Sequence, residues 1–241
     1  MKEKHIVSFS GGKDSTAILL MMAEKGMQID EIIFCDTGME FSAMYDHITA
    51  VKKYINRSIT VLKAENSFEY MMLEHKKRNG KVGYGWPDMR NRWCTSYLKK
   101  DVARRYLRTY EKQGFKVIEY HGIAADEKHR ANKNQEKNIK YPLIDWKITE
   151  QQALEYCYSK GFNWDGLYEQ FRRVSCWCCP MKGLKELKSL YKYHRVLWEQ
   201  LKEMDKKSWN KFRLDYTLEQ LEQRFKEEIF IEEHQVSIFD L

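Results

Sequence analysis

The sequence predicts an α/β protein: a doubly wound parallel sheet followed by a helical C-terminal portion. Three observations predict it. Short apolar runs alternate with helical stretches through the first half of the chain. The first run ends in a Gly-Gly pair that opens onto a helix. From Thr149 onward the pattern is mostly helical.

The elements follow in order. His5 to Ser10 (H-I-V-S-F-S) is a compact β-type run closed by Gly11-Gly12. Ser15 to Lys25 reads as a helix apolar on most sides, with Gly26 as its stop signal. Glu31 to Cys35 (E-I-I-F-C) is a continuous apolar run of the kind buried in a parallel sheet. A helix over Ser42 to Tyr54 precedes a third strand, Ser58 to Lys63. A helix over Ser96 to Lys112 precedes a fourth, Lys116 to His121. Two long polar stretches, His75 to Cys94 and Asp126 to Lys140, read as functional or mobile loops. The first carries six basic residues and one acidic. Glu150 to Lys160, Leu184 to Leu201 and Leu218 to Glu228 complete the predicted helices.

With 241 residues, the chain has room for one large domain or a domain plus a small appendage. Three prolines and 12 glycines exclude a collagenous or low-complexity chain. The longest apolar run, Ala17 to Ala23, is too short to span a bilayer, and Met1-Lys-Glu-Lys-His does not open like a signal peptide. A cytoplasmic protein with no membrane partner is expected. In a reducing compartment its six cysteines suit metal binding or catalysis better than disulfides.

Ser10-Gly11-Gly12-Lys13-Asp14-Ser15 lies between a strand and a helix. Glycines let the backbone turn its N–H groups toward an anion, and the helix N-terminus adds its dipole. Lys13 adds a charge, and Ser10 and Ser15 add hydroxyls. The loop is not a Walker A motif, because Val7 and Asp14 stand where that motif needs Gly and Ser or Thr. The bland alternative is a tight turn in which Gly and Ser cap a helix.

Three of the six cysteines, Cys176, Cys178 and Cys179, fall within four positions. Together with Cys94 they supply the four thiolates of a cuboidal iron–sulfur centre or a closed zinc site. Cys35 and Cys157 read as small core residues. Met181 to Arg213 carries ten Lys or Arg against four Asp or Glu, interleaved with Tyr191, Tyr193, Trp198, Trp209 and Phe212. Amphipathic helices account for that pattern, and a nucleic-acid face is its alternative. The basic stretch before Cys94 reads as a lid over an acidic substrate.

The loop resembles the pyrophosphate-binding loop of the ATP pyrophosphatase superfamily, the adenine nucleotide α-hydrolases. Asp36-Thr37-Gly38-Met39-Glu40 resembles the D-T-G-x-E of the phosphoadenosine phosphosulfate (PAPS) reductase family. Arg92-Trp93-Cys94-Thr95 with Leu98-Lys99, and Gly122 to Arg130, are similar to further segments of that family. So are Tyr141 to Trp146 and Leu167-Tyr168 through Cys176-Trp177-Cys178-Cys179-Pro180. The resemblance implies a five-stranded parallel sheet with nucleotide at the strand C-termini. It implies a nucleotide-binding α/β domain over 1–148 and a mostly helical part over 149–241 carrying the cysteine cluster.

ATP with Mg²⁺ would then be held by Ser8, Ser10, Gly11, Gly12, Lys13, Asp14, Ser15, Asp36, Thr37, Glu40 and Gly122. Lys13 and Asp14 would act on the leaving pyrophosphate and its metal. Arg92, Lys99 and Arg130 would meet the substrate's charge. Cys94, Cys176, Cys178 and Cys179 would hold a [4Fe-4S] cluster, with zinc as the alternative. Two features depart from the reductases. The K-D-S part of the loop is intact, and the tail Glu232 to Leu241 has no cysteine. Cleavage of ATP between its α and β phosphates, adenylating an acceptor in sulfur chemistry, therefore stands ahead of sulfonucleotide reduction and of non-catalytic binding. The partners expected are an adenine nucleotide, an acidic or nucleic-acid acceptor, a sulfur donor protein, and further subunits in a homo-oligomer or complex.

Overall fold

Five strands, β1 (Glu3–Ser8), β2 (Glu31–Asp36), β3 (Thr60–Lys63), β4 (Lys116–His121) and β5 (Ile139–Lys140), lie in the order β3-β2-β1-β4-β5. Every neighbouring pair is parallel, with Ile6 of β1 level with Glu31 on one side and Glu119 on the other. Ile6 and Val7 of β1 are fully buried on opposite faces, as a central parallel strand requires. The computed structural model describes residues 2–131 and 138–239.

The helices are α1 (Lys13–Glu24), α2 (Ser42–Tyr54), α3 (Phe68–Leu73), α4 (Trp93–Thr95) and α5 (Asp101–Lys112). They continue as α6 (Lys128–Ala131), α7 (Pro142–Asp145), α8 (Glu150–Ser159), α9 (Leu167–Gln170), α10 (Leu184–Tyr193), α11 (Arg195–Lys207) and α12 (Leu218–Phe239). α1 is buried on most sides because it packs against the sheet and against α8. One apolar cluster runs from Val7 through Leu143 and Ala153 to Phe225. A second cluster, with Ile33, Leu62, Val102 and Leu107, packs α5 on the other face. The sheet is thereby covered on both sides, which is the doubly wound arrangement.

Sheet order reverses beside β1: the chain moves outward through β2 and β3, then returns to lay β4 on the opposite flank. The crevice at the carboxyl ends of β1 and β4 is where such sheets take ligands. Ser8 ends β1 and Gly122 follows β4, so both strands deliver candidate residues to that crevice.

Several boundaries differ from expectation. The helix predicted over Ser96 to Lys112 begins earlier, as α4, and passes through a π-helical turn at Ser96–Lys100 before α5. The predicted loop Asp126 to Lys140 contains α6 and β5, while its residues 132–137 lie outside the described residues. The helix predicted over Leu184 to Leu201 is two helices, broken where His194 adopts φ −131° and ψ 56°. α12 runs past Glu228 to Phe239.

The basic C-terminal segment is largely compensated. Lys188 pairs with Glu228 and Glu232, Lys202 with Glu199 and Glu222, and Arg213 with Asp215. Tyr191 and Trp198 are buried, as amphipathic helices predict, and Phe212 is buried in the turn between α11 and α12, whereas Tyr193 and Trp209 are exposed. Among the described residues, no helix is long and apolar enough to cross a membrane.

Candidate functional site

Gly11 takes φ +79°, which only glycine adopts without strain, and turns the chain from β1 into α1. The loop is braced internally by hydroxyls: Ser10 Oγ and Ser15 Oγ are 3.0 Å apart, and Ser15 Oγ donates to the Gly12 carbonyl at 2.9 Å. Two aromatic side chains from beyond residue 160 fix it from outside. The Trp164 indole N–H donates to the Gly11 carbonyl at 2.7 Å, and the Lys13 backbone N–H donates to Tyr168 Oη at 2.8 Å. The N–H groups of Gly11, Asp14 and Ser15 have no protein acceptor among the described residues, leaving three donors at the helix start. Gly122 passes so close that a Cβ there would lie 2.6 Å from the Ser15 nitrogen. Any side chain at that position would close the crevice.

Lys13 is almost wholly buried, and its ammonium lies 2.9 Å from Asp14 and 2.8 Å from Glu150. Asp14, Glu127 and Glu150 each present an oxygen within 4.8 Å of the others, a set able to take a hard divalent cation. Burial raises the Asp14 pKa above its ordinary value, against the pull of Lys13. Such a site favours a cation that neutralises it. Arg130 is tied to Glu127 and so reaches the same cluster indirectly.

The end of β2 and the turn after it carry Asp36, Thr37 and Glu40, all buried. Burial pushes Asp36 upward, but the Gly38 N–H, the Tyr45 hydroxyl and Lys63 outweigh it and hold its pKa below the usual value. Glu40 Oε1 gathers three donors: Lys99 Nζ at 3.4 Å, Thr37 Oγ1 at 3.5 Å and the Cys176 thiol at 3.6 Å. For Lys99, burial works against the ammonium, yet Glu40 and the neighbouring thiols prevail and raise its pKa.

The four thiols expected to act together share one neighbourhood. Cys179 acts electrostatically on Cys94, Cys176 and Cys178. Burial raises the pKa of all three; Cys176 is pushed up to about 12, with Glu40 adding to the shift. As free groups these thiols stay protonated, and a bound metal would be needed to hold them as thiolates. No three of the four bring their sulfurs within 4.8 Å of one another among the described residues. Cys35 and Cys157 stand apart: Cys35 donates to the Lys99 carbonyl, and Cys157 is fully buried under Lys13. Arg92 is exposed and forms no ion pair among the described residues.

Residues 4–182 match the sequence profile of the phosphoadenosine phosphosulfate reductase domain family. The chain belongs to this family. It is 30% identical over 181 residues to an uncharacterized protein of Methanocaldococcus jannaschii, covering 72% of this chain. It is 27% identical over 211 residues to a second uncharacterized protein of that organism, covering 83% of this chain. A nin region protein of Escherichia phage lambda is 28% identical over 145 residues, covering 52% of this chain. The chain spans 40%, 41% and 50% of the lengths of these three relatives.

Two solved structures are similar at low identity. A PAPS reductase from Candida auris in phosphate complex has 17% identity and a TM-score of 0.48, covering 71% of this chain and 81% of its own. The U34-tRNA thiolase NcsA from Methanococcus maripaludis, with its [4Fe-4S] cluster, has 13% identity and a TM-score of 0.43, covering 94% of this chain and 72% of its own.

In this phosphoadenosine phosphosulfate reductase domain, residues that sequence reasoning did not single out also lie at the candidate site. Glu127 and Glu150 complete the carboxylate set; Glu150 is an acidic first-turn residue of α8, a common position that carries no signal of its own. Tyr168 stood inside a recognised motif without a role. Lys182, one of the ten cations of the Met181 to Arg213 segment, is 2% exposed. Its ammonium donates to Ser175 Oγ at 3.3 Å and sits 4.7 Å from the centre of the Phe171 ring. Burial lowers its pKa, opposed by Glu186 and the three clustered thiols. The only sequence signal was its place three residues after Cys179.

Proposed function

We propose that this domain binds ATP with Mg²⁺ in the crevice between β1 and β4 and cleaves it between the α and β phosphates. An acceptor oxygen attacks the α-phosphorus, the bond to the α–β bridging oxygen breaks, and pyrophosphate leaves with that electron pair. The observation that carries this reading is the join of three open N–H donors with Lys13 and the Asp14–Glu127–Glu150 set. The donors and Lys13 suit the leaving pyrophosphate, and the carboxylates suit its Mg²⁺. Binding of a metal–phosphate unit would loosen the Lys13–Glu150 pair and free the ammonium for the β and γ oxygens.

Cys94, Cys176, Cys178 and Cys179 would hold a [4Fe-4S] cluster, which supplies one-electron or Lewis-acid chemistry when bound. Around it, Lys99 and Lys182 place positive charge, Glu40 orients Lys99, and Phe41 and Phe171 exclude water. The family assignment together with this thiol group supports sulfur transfer to the adenylated acceptor.

The test incubates purified protein with ATP, Mg²⁺ and candidate acceptors, and separately with adenylylsulfate nucleotides plus a thiol donor. Pyrophosphate is expected from the first mixture, with the adenylyl group on the acceptor or released as AMP when water hydrolyses that adduct. Sulfite from the second with neither product from the first would assign the reductase reaction instead.

A further inference from the structure

The stretch from Lys76 to Arg92 holds six cations: Lys76, Lys77, Arg78, Lys81, Arg90 and Arg92. None forms an ion pair among the described residues, in contrast to the paired lysines of α10 and α11. Uncompensated charge of this density favours a polyanion. The same surface carries a connected set of aromatic rings. His75 stacks on Tyr84 at 5.4 Å, Tyr84 meets Tyr97 at 5.4 Å, and Lys77 lies between the Tyr84 and Trp209 rings. Tyr97 is 42% exposed and Trp209 67%.

The surface is anchored. Trp86 is buried, and its indole N–H donates to Asp205 at 2.8 Å while its backbone N–H donates to Asn210 at 2.7 Å. The rings are therefore presented from a fixed base, with Lys76 and Val82 bridged at the tip. At its border lies a cavity of about 350 Å³, lined by Asn66, His75, Tyr97, Asp101 and Arg105 among others. That volume is at the small end of the ~300–1,000 Å³ typical of ligand pockets. It offers ring faces for stacking and amide, carboxylate and guanidinium groups for a base edge. Across the π-helical turn, Tyr97 faces this cavity while Lys99 reaches Glu40 and the thiols.

We infer that this face binds a single-stranded or looped polynucleotide, with one unpaired nucleoside seated in the Tyr97–Asp101–Arg105 cavity. An acidic protein would use the cations but leave the rings and cavity unexplained. A duplex would keep its bases stacked away from both. The inference names an acceptor class for the adenylation reading and rests on that reading only for the chemistry, since binding needs no ATP.

The experiment measures fluorescence anisotropy of labelled single-stranded RNA, single-stranded DNA and duplex DNA with the full chain, without nucleotide, across a salt series. Preferred binding of a single strand, weakening steeply with salt, is expected. The triple variant Lys76→Gln, Arg78→Gln, Lys81→Gln should weaken binding and flatten the salt slope. Tyr97→Ala and Arg105→Gln, each with unchanged circular dichroism, should weaken single-strand binding about tenfold, Tyr97→Ala without altering that slope. Lys206→Gln on α11 should change nothing. RNA against DNA identifies which strand is preferred. Equal affinity for duplex and single strand, no loss in Tyr97→Ala, or no binding at low salt overturns the inference. Binding with no ATP cleavage would instead fail the adenylation reading alone.

Discussion

Glu40 Oε1 lies 3.6 Å from Cys176 Sγ, although 136 residues separate the two in sequence. The contact closes the turn after β2 onto the cysteine segment, and Lys99 completes it from a third part of the chain. Replacing Glu40 by Ala removes the shared acceptor of three donors. The variant should lose ~1–2 kcal/mol of stability, a figure kept small because Lys99 is partly solvated. A urea midpoint equal to that of the parent would show that the junction contributes nothing.

Lys13→Ala tests the anion loop. Loss of a buried charge-assisted contact should weaken ATP binding by ~1–3 kcal/mol. Calorimetry reads it directly, and unchanged affinity would mean that the phosphates bind elsewhere.

Much of the fold was legible because its central strands are short runs rich in β-branched and aromatic residues, bounded by Gly or polar residues. Glu31 to Cys35 and Lys116 to His121 needed no tertiary information. The break at His194 was not legible, since no Gly or Pro marks it and both flanks keep helical composition. The loop and the thiols announced themselves through glycine and cysteine spacing. Glu127, Glu150 and Lys182 did not, because a lone Glu or Lys reads as solvated until packing brings it beside Lys13 or the cysteines.

Protein purified without oxygen should be brown, with iron and sulfide in stoichiometric amounts and loss of both in Cys94→Ala or Cys179→Ala. Lys182→Met should then move the midpoint potential to a more negative value, because a nearby positive charge favours the reduced cluster. A full complement of zinc would change the metal. Neither metal, with no uptake on reconstitution, would remove the site.

Acid should weaken the core beside α1. His47 is buried, its Nε2 is 2.9 Å from Thr16 Oγ1, and burial pushes its pKa down to about 3 from 6.5. The unfolded chain therefore takes up a proton that the folded chain refuses. Stability falls as pH drops from 6.5 toward about 3, by up to ~1.4 kcal/mol per pH unit. Urea midpoints across that range should decline less steeply in His47→Gln than in the parent; parallel curves would refute the assignment.

Tyr168→Phe leaves the Lys13 N–H without its acceptor. The nucleotide-free variant should be about 1 kcal/mol less stable in thermal melts. Matching melting curves would mean that water replaces the hydroxyl at no cost.

The two aromatic braces on the glycine loop bear on its portability. A graft of residues 8–15 onto another strand–helix junction would carry the glycines, the lysine and all the serines. Those serines number three, Ser8, Ser10 and Ser15, and the graft would arrive without the indole that holds the Gly11 carbonyl and the phenol that holds the Lys13 amide. The transplanted octapeptide would have the letters of an anion receptor with its donors unaimed. A designer would have to move the Trp164–Tyr168 segment with it, or rebuild both contacts from the host.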